Sequence, residues 1–276
     1  MAYYSDDKQY FDEFGEHGDK PKLLFEGDSW FSIPDNASIP VQLDSLLDLS
    51  ILCLADPGDT LEDLTAGRQY KRLESLIRSE RYGQTWDAIV LSAGGNDIIG
   101  PEIARYLVRP RRASRDPEDY IDNEELNPAL DGMRERFETL KQLRDTSTAN
   151  PDTPILVHTY SYLSPRDAAH RLLVWKTSGP WIYPHMIAAG ITDAAVQRAI
   201  VRYLLDRFHG VLRDIARARG SNFHVVDTRR ALPPAGTSRR KADRSLWGDE
   251  IHPTSRGFHR IARNYFVPAL KKLGIG

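Results

Sequence analysis

The chain has 276 residues, and its 37 lysines and arginines against 39 aspartates and glutamates give a formal net charge of −2 at pH 7. This balance excludes a basic nucleic-acid clamp, so we expect no nucleic-acid partner. The single cysteine, Cys53, forbids an internal disulfide bond. The N-terminus is acidic and aromatic rather than basic and apolar, and no segment has the length of a membrane span, which predicts a soluble, cytoplasmic protein.

Short apolar runs alternate along the chain with segments of helical periodicity. The runs are nearly uniformly apolar, as in strands covered on both faces, and their alternation with helices is typical of a parallel sheet in an α/β protein. The predicted strands are residues 22–26, 50–54, 88–92, 154–159 and 223–227. The predicted helices are residues 41–49, 61–81, 128–144, 193–219 and 255–273.

Two stretches interrupt this alternation. Residues 109–127 place a basic block beside an acidic one, which predicts a solvated loop or a short helix. Residues 160–190 are rich in tryptophan and tyrosine and far longer than an ordinary connection between a strand and a helix. We interpret them as an insert, either a lid or core packing, within one domain spanning residues 1–276.

Three short polar motifs follow predicted strands or open a predicted helix. They are Gly27-Asp28-Ser29, Gly94-Gly95-Asn96-Asp97 and Asp249-Glu250-Ile251-His252-Pro253. Each alone is compatible with a turn or a helix cap. Their joint occurrence by chance in a chain of this length has a probability of about one in ten thousand. Because carboxyl ends of parallel strands share one edge of a sheet, we expect the motifs to meet there.

Acyl transfer needs these residue types in one place. A serine hydroxyl is a weak nucleophile until a base removes its proton, and a histidine base needs a carboxylate to orient it. The tetrahedral oxyanion then needs fixed hydrogen-bond donors. No metal-ligand spacing accompanies the other histidines, so no metal site is expected.

The sequence resembles the SGNH, or GDSL-like, hydrolases, a superfamily of esterases and lipases. The resemblance implies Ser29 in EGDSW as the nucleophile, His252 in DEIHP as the base and Asp249 as its orienting acid. It also implies an oxyanion hole formed by Ser29, by Gly58 in DPGDT and by Asn96 in GGND. The implied fold is a three-layer α/β/α sandwich, flavodoxin-like, with five parallel strands. The implied reaction is ester hydrolysis without a metal or another cofactor.

The motifs leave the substrate open. Trp30 and Phe31 follow the serine where the family usually has leucine or a small hydroxyl residue. The candidates are short-chain acyl esters, lysophospholipids, acyl thioesters and O-acetyl groups on glycans, so the expected partner is a small-molecule, lipid or glycan ester. The alternative is an inactive binding protein of the same fold. Four aromatic residues are candidates for substrate binding: Trp30, Trp175, Trp181 and Tyr183.

Other polar residues near the motifs have structural interpretations. We expect Asp28, Asp97 and Asp227 to cap turns rather than to act in catalysis. The basic segment 229–244 lies just before the histidine motif, and we interpret it as a solvated loop, with steering of anionic substrates as the alternative.

Overall fold

The computed structural model describes most of the chain: residues 2–13, 17–34, 36–78, 84–110, 112, 114–172, 175–238, 240, 243 and 245–276. The side chains of residues 171–177 lie outside this description. The end of the predicted helix 61–81, parts of the segments 109–127 and 229–244, and the side chain of Trp175 therefore lie outside the described residues.

The centre of the molecule is a parallel sheet whose strands run in the order β1-β3-β2-β4-β5-β8. Among the described residues the sheet has six strands, rather than the five predicted. The additional strand, β1, pairs with the edge of β3. It is only two residues long, so it is too short to give a periodic pattern in the sequence. The bounds are β1 Tyr3–Tyr4, β2 Lys22–Gly27, β3 Ser50–Cys53, β4 Ala88–Ser92, β5 Ile155–His158 and β8 Phe223–Val226.

Helices cover both faces of the sheet, as predicted for a three-layer sandwich. Helices α2, α10 and α11 lie in one layer, and α3, α4, α7 and α9 lie in the other. The helices are α1 Asp7–Asp12, α2 Ile39–Leu46, α3 Leu61–Thr65, α4 Gly67–Arg78, α5 Gly95–Ile98, α6 Ile103–Tyr106, α7 Asn123–Asp145, α8 Tyr183–Ala188, α9 Ala194–Arg217, α10 Ser255–Ile261 and α11 Val267–Lys272. A 3₁₀ turn spans Pro117–Tyr120, and one π-helical turn, Ala262–Phe266, joins α10 to α11.

Two predicted helices differ in detail from the observed ones. The helix predicted from residue 61 is divided into α3 and α4, because Ala66 has an extended backbone (φ −146°, ψ 164°). The helix predicted over 128–144 begins earlier, at Asn123, where the side chain of Asp122 accepts a hydrogen bond from the Glu124 N–H and caps the helix.

The insert at 160–190 has secondary structure of its own. Its strands β6 (His170–Leu172) and β7 (Trp175–Ser178) pair antiparallel outside the main sheet, and α8 follows them. The insert leaves the carboxyl end of β5, so it begins at the edge of the sheet where the polar motifs were expected.

The contact between β2 and β4 brings two of the motifs together. Gly27 lies opposite Ser92 in the ladder and has φ +140°. A Cβ atom at residue 27 would lie 2.0 Å from the Ser92 carbonyl oxygen, so only glycine fits. This close approach places the turns that follow the two strands, which carry Ser29 and Asn96, side by side.

No helix within the described ranges is long and apolar enough to cross a lipid bilayer.

Candidate active site

Ser29 lies on the turn that follows β2, and Asp28 holds that turn in place. The Asp28 N–H donates to the Ser92 carbonyl over 2.9 Å. The Asp28 carboxyl group accepts from the Trp30 N–H (3.0 Å), from the Ser92 hydroxyl (2.6 Å) and from the Tyr160 hydroxyl. Asp28 is buried, and these contacts give it the structural role predicted from the sequence.

The network beneath Ser29 extends to a buried histidine. Nε2 of His158 lies 2.8 Å from the Ser92 hydroxyl, and its Nδ1 lies 2.8 Å from the Thr159 carbonyl oxygen. Burial lowers the pKa of His158 to about 4. Burial also raises the pKa of Asp28, against the opposing effect of the hydrogen bonds from Ser92 and Tyr160. In this polar network beneath Ser29, burial therefore favours the neutral forms of His158 and Asp28.

Three of the predicted residues form one hydrogen-bonded chain. The Ser29 hydroxyl lies 2.7 Å from Nε2 of His252, and Nδ1 of His252 lies 2.8 Å from Oδ2 of Asp249. All three residues are buried. Their positions match the nucleophile, base and orienting acid of an acyl-transfer site.

The loop before α10 fixes the geometry of Asp249 and His252. Oδ1 of Asp249 accepts hydrogen bonds from the backbone N–H groups of Ile251 (2.9 Å) and His252 (2.7 Å), and the Gly248 N–H donates to the His252 carbonyl (2.9 Å). Burial alone would raise the pKa of Asp249, but its hydrogen bonds from His252 and Ile251 outweigh burial and lower the pKa. The carboxylate therefore stays ionised beside the imidazole.

The candidate oxyanion hole combines three turns. The Asp56 N–H donates to the Gly27 carbonyl (3.0 Å), which ties the loop after β3 to β2. The Asn96 side-chain amide donates to the Asp59 carbonyl over 2.7 Å, which fixes its position beside that loop. Gly58 lies between these anchors with φ +97°. Among the described residues, neither the Ser29 nor the Gly58 N–H has a protein acceptor, so both can bind an incoming oxygen.

A second histidine, His170, contacts the same carboxylate. Its Nδ1 lies 3.1 Å from Oδ2 of Asp249, the oxygen that accepts from His252. Ligand atoms of His170, Asp249 and His252 all lie within 4.8 Å of one another, so this group has the composition of a metal site, which the spacing of histidines in the sequence did not indicate. Sequence reasoning missed His170 because it lies in the insert and belongs to no motif.

Glu250 anchors the insert to the loop that carries Asp249 and His252. Its carboxyl group accepts four backbone N–H groups: Trp181 at 2.5 Å, Ile182 at 2.8 Å, Tyr183 at 2.7 Å and Arg166 at 3.1 Å. Three of these groups surround the start of α8. Burial raises the pKa of Glu250 despite these hydrogen bonds. The sequence placed Glu250 inside a motif but gave no sign of its partners, which are distant in the chain.

The predicted aromatic residues lie in different surroundings. The Trp181 ring stands edge-on to the His252 ring, with 5.1 Å between the ring centroids. Trp30 is only 3% exposed and packs in the core, stacked on His158 and perpendicular to Tyr160, although it also lines the base of the pocket. Tyr183 contributes its N–H to Glu250. The Trp175 side chain lies outside the described residues.

A narrow pocket of about 20 Å³ opens at Ser29. Asn96 and Tyr160 supply polar atoms to its lining, and Ile99, Leu163 and Ile251 supply apolar walls. This volume is far below that of an ordinary small-molecule site and leaves room for only a small group beside Ser29.

The other acidic residues singled out in the sequence make structural contacts. The Asp97 carboxyl accepts from the Leu61 N–H at the start of α3, and burial raises its pKa to about 6. Asp227 bonds to Arg229 (2.8 and 2.9 Å), which lowers the Asp227 pKa to about 2 against the effect of burial. Both observations agree with the structural roles predicted for these residues.

Residues 27–260 match the model of the GDSL-like Lipase/Acylhydrolase family. The chain belongs to this family. The match covers most of the chain and confirms the resemblance inferred from the three motifs, so the protein is an enzyme of the ester-hydrolysing class. No curated protein is similar enough in sequence to count as a relative.

Solved structures share the fold of this GDSL-like hydrolase. The salicylyl-acyltransferase SsfX3 from a tetracycline biosynthetic pathway is 16% identical, with a TM-score of 0.52 over 94% of this chain and 56% of that one. A protein described as a "putative arylesterase" from Agrobacterium tumefaciens str. C58 is 16% identical, with a TM-score of 0.51 over 92% of this chain and 99% of that one.

Proposed function

We propose that the protein hydrolyses carboxylic esters through an acyl-enzyme on Ser29. The observation that carries this proposal is the continuous hydrogen-bonded chain from the Ser29 hydroxyl through His252 to Asp249, with distances of 2.7 and 2.8 Å. Such a chain activates a hydroxyl that would otherwise be a poor nucleophile.

In acylation, Nε2 of His252 removes the Ser29 proton as Oγ attacks the ester carbonyl carbon. Asp249 accepts the hydrogen bond from Nδ1, which holds the other nitrogen ready as the base and stabilises the imidazolium that forms. His252 then protonates the departing alcohol. Water, deprotonated by the same histidine, attacks the acyl carbonyl carbon. The bond between Oγ of Ser29 and the acyl group then breaks, His252 returns the proton to Oγ, and the carboxylic acid leaves.

The oxyanion of each tetrahedral intermediate binds to the N–H groups of Ser29 and Gly58 and to the side-chain amide of Asn96. Each such donor stabilises the transition state by about 3 to 4 kcal/mol. The hydrogen bond from Asn96 to the Asp59 carbonyl supports this role, because it holds the amide in place before the charge develops.

The pocket favours a small acyl group. Its narrow space and its apolar walls of Ile99, Leu163 and Ile251 suit a short apolar chain. Acetyl and butyryl esters are therefore the proposed substrates, whether the leaving group is an alcohol, a thiol or a sugar hydroxyl.

A fluorophosphonate probe tests the nucleophile directly. The wild-type protein should become labelled on Ser29, as located by peptide mass spectrometry, and should hydrolyse p-nitrophenyl acetate. Ser29→Ala and His252→Ala should each lower hydrolysis by several orders of magnitude. Ser45→Ala, which alters an exposed serine on α2, is the matched control and should retain both labelling and activity.

Retention of more than a tenth of the activity by folded Ser29→Ala would overturn the assignment. Folded wild-type protein that neither reacts with the probe nor hydrolyses any ester from acetate to palmitate would instead favour an inactive binding protein.

A further inference from the structure

A second concave surface adjoins the catalytic pocket. This groove, of about 530 Å³, lies between the amino-terminal half of α9 and the chain that leaves β5. Leu163 lines both the groove and the catalytic pocket, so the two spaces adjoin at this side chain. The residues that line this groove include Tyr162, Leu163, Arg198, Arg202 and Asp206.

The groove contains two arginines whose charges are not compensated. Arg198 and Arg202 lie four residues apart on α9, so their side chains share one face of the helix. Within the described part of the chain, no carboxylate lies within ion-pair distance of either guanidinium. Arg198 is half-buried, which makes an unpaired charge there more costly than on an open surface.

A tyrosine holds one of the two guanidinium groups in place. The guanidinium carbon of Arg202 lies 4.7 Å from the centroid of the Tyr162 ring, a cation–π contact. The Tyr162 hydroxyl donates to Asp206 over 2.6 Å, and this carboxylate also lies 2.5 Å from Nη1 of Arg229. Arg229 also binds Asp227, so its single positive charge faces two carboxylates. Together with Arg198 and Arg202, three arginines face these two carboxylates, and the groove keeps a net positive charge.

Another acidic side chain, Glu118, lies near the groove and has an arginine beside it. Glu118 contacts the Tyr203 hydroxyl at 3.3 Å on one side of the groove, and Arg207 contacts the same hydroxyl at 2.8 Å. The positive charge of Arg207 thus lies beside the negative charge of Glu118.

We propose that Arg198 and Arg202 bind an anionic group, a phosphate, sulfate or carboxylate, on the alcohol portion of the ester. Planar guanidinium groups recognise such oxyanions through paired N–H donors. The small apolar pocket takes the acyl group, and the alcohol portion passes Leu163 to reach the arginines. This inference rests on the proposed esterase function and specifies its substrate class.

The experiment compares two esters that differ only in the anionic group: 1-butyrylglycerol and 1-butyrylglycerol 3-phosphate. We expect the wild-type enzyme to prefer the phosphate ester by at least about tenfold in kcat/KM, the effect of one charged hydrogen-bonding contact. The preference should decline as the NaCl concentration rises from about 0.05 to about 1 M, because salt screens charges at the protein surface. Inorganic phosphate should inhibit hydrolysis of the phosphate ester.

The double variant Arg198→Ala/Arg202→Ala should lose this preference through a higher KM for the phosphate ester and hydrolyse the neutral ester as the wild type does. Arg213→Ala/Arg217→Ala removes the same charge from exposed positions farther along α9 and should keep the preference. Equal use of the two esters by the wild type, or an unchanged preference in the first double variant, would overturn the proposal. If neither ester is hydrolysed and the fluorophosphonate does not label Ser29, the proposed function itself fails.

Discussion

The indole ring of Trp181 meets the imidazole of His252 edge to face, with 5.1 Å between the ring centroids. Trp181 belongs to the insert, whereas His252 lies in the loop before α10. The insert therefore forms part of the wall around the proposed catalytic base, and a change in the insert can alter activity without reaching the core.

Replacement of Trp181 by alanine should change acyl-chain preference more than stability. Removal of a half-buried ring next to His252 widens the space beside the reacting carbonyl, so the ratio of kcat/KM for octanoate over acetate should rise by about tenfold. p-Nitrophenyl esters and a thermal melt measure the two effects. Ile187→Ala, which alters an exposed side chain of the same insert, is the control. An unchanged ester profile with a large drop in Tm would mean that the insert is core packing.

Glu250→Gln should loosen the insert. The glutamine amide group replaces one of the two oxygens that accept the four backbone N–H groups, which leaves about two of them without an acceptor. Each buried unsatisfied donor costs about 1 to 3 kcal/mol. We expect lower esterase activity and faster proteolysis within 160–190. Glu138→Gln, at an exposed position of α7, should have neither effect. Unchanged proteolysis in Glu250→Gln would contradict the anchoring role.

Asn96→Ala should lower kcat by about 10² to 10³ with little change in KM, because the amide is proposed to bind the oxyanion rather than the ground-state ester. Steady-state kinetics with p-nitrophenyl acetate checks this, with Asn264→Ala at an exposed position of the π-helical turn as the control. An effect confined to KM would show that Asn96 binds substrate instead.

Glu26→Gln should alter how stability depends on pH. Glu26 is buried in β2, and burial raises its pKa from 4.5 to about 8. Between these values the folded protein binds a proton that the unfolded chain has released, so stability falls as pH rises through this window. Glutamine has no proton to lose in this range. This part of the decrease in unfolding free energy, on the order of a few kcal/mol, should therefore disappear.

Urea unfolding at pH 5 and pH 8 measures the effect. The difference in unfolding free energy between the two pH values should be smaller in Glu26→Gln than in the wild type. In Glu138→Gln it should be unchanged, since that side chain is exposed. Identical pH dependence in wild type and Glu26→Gln would show that Glu26 is ionised in the folded protein.

The sequence by itself determined which segments form the five long strands of the sheet, and that the three motifs lie together at one edge of it. Uniformly apolar runs predict buried parallel strands, and parallel strands bring their carboxyl ends to one edge, so Ser29, Asn96 and His252 could be placed together before any distance was known. Asp249 could be assigned to His252 because the two lie three residues apart in one turn. The positions of these residues could be predicted because each depends on local pattern or on a general property of parallel sheets, and their roles in catalysis stay predictions.

Only the tertiary structure decided which residues surround Ser29, His252 and Asp249. His170 shares a carboxylate oxygen with His252, and Glu250 binds backbone groups of the insert, yet no periodicity or motif links these residues to their partners. The two-residue β1 and the division of the helix after α3 also escaped the sequence patterns. Such features depend on contacts between segments distant in the chain, and these contacts form only when the sheet and the insert are packed together.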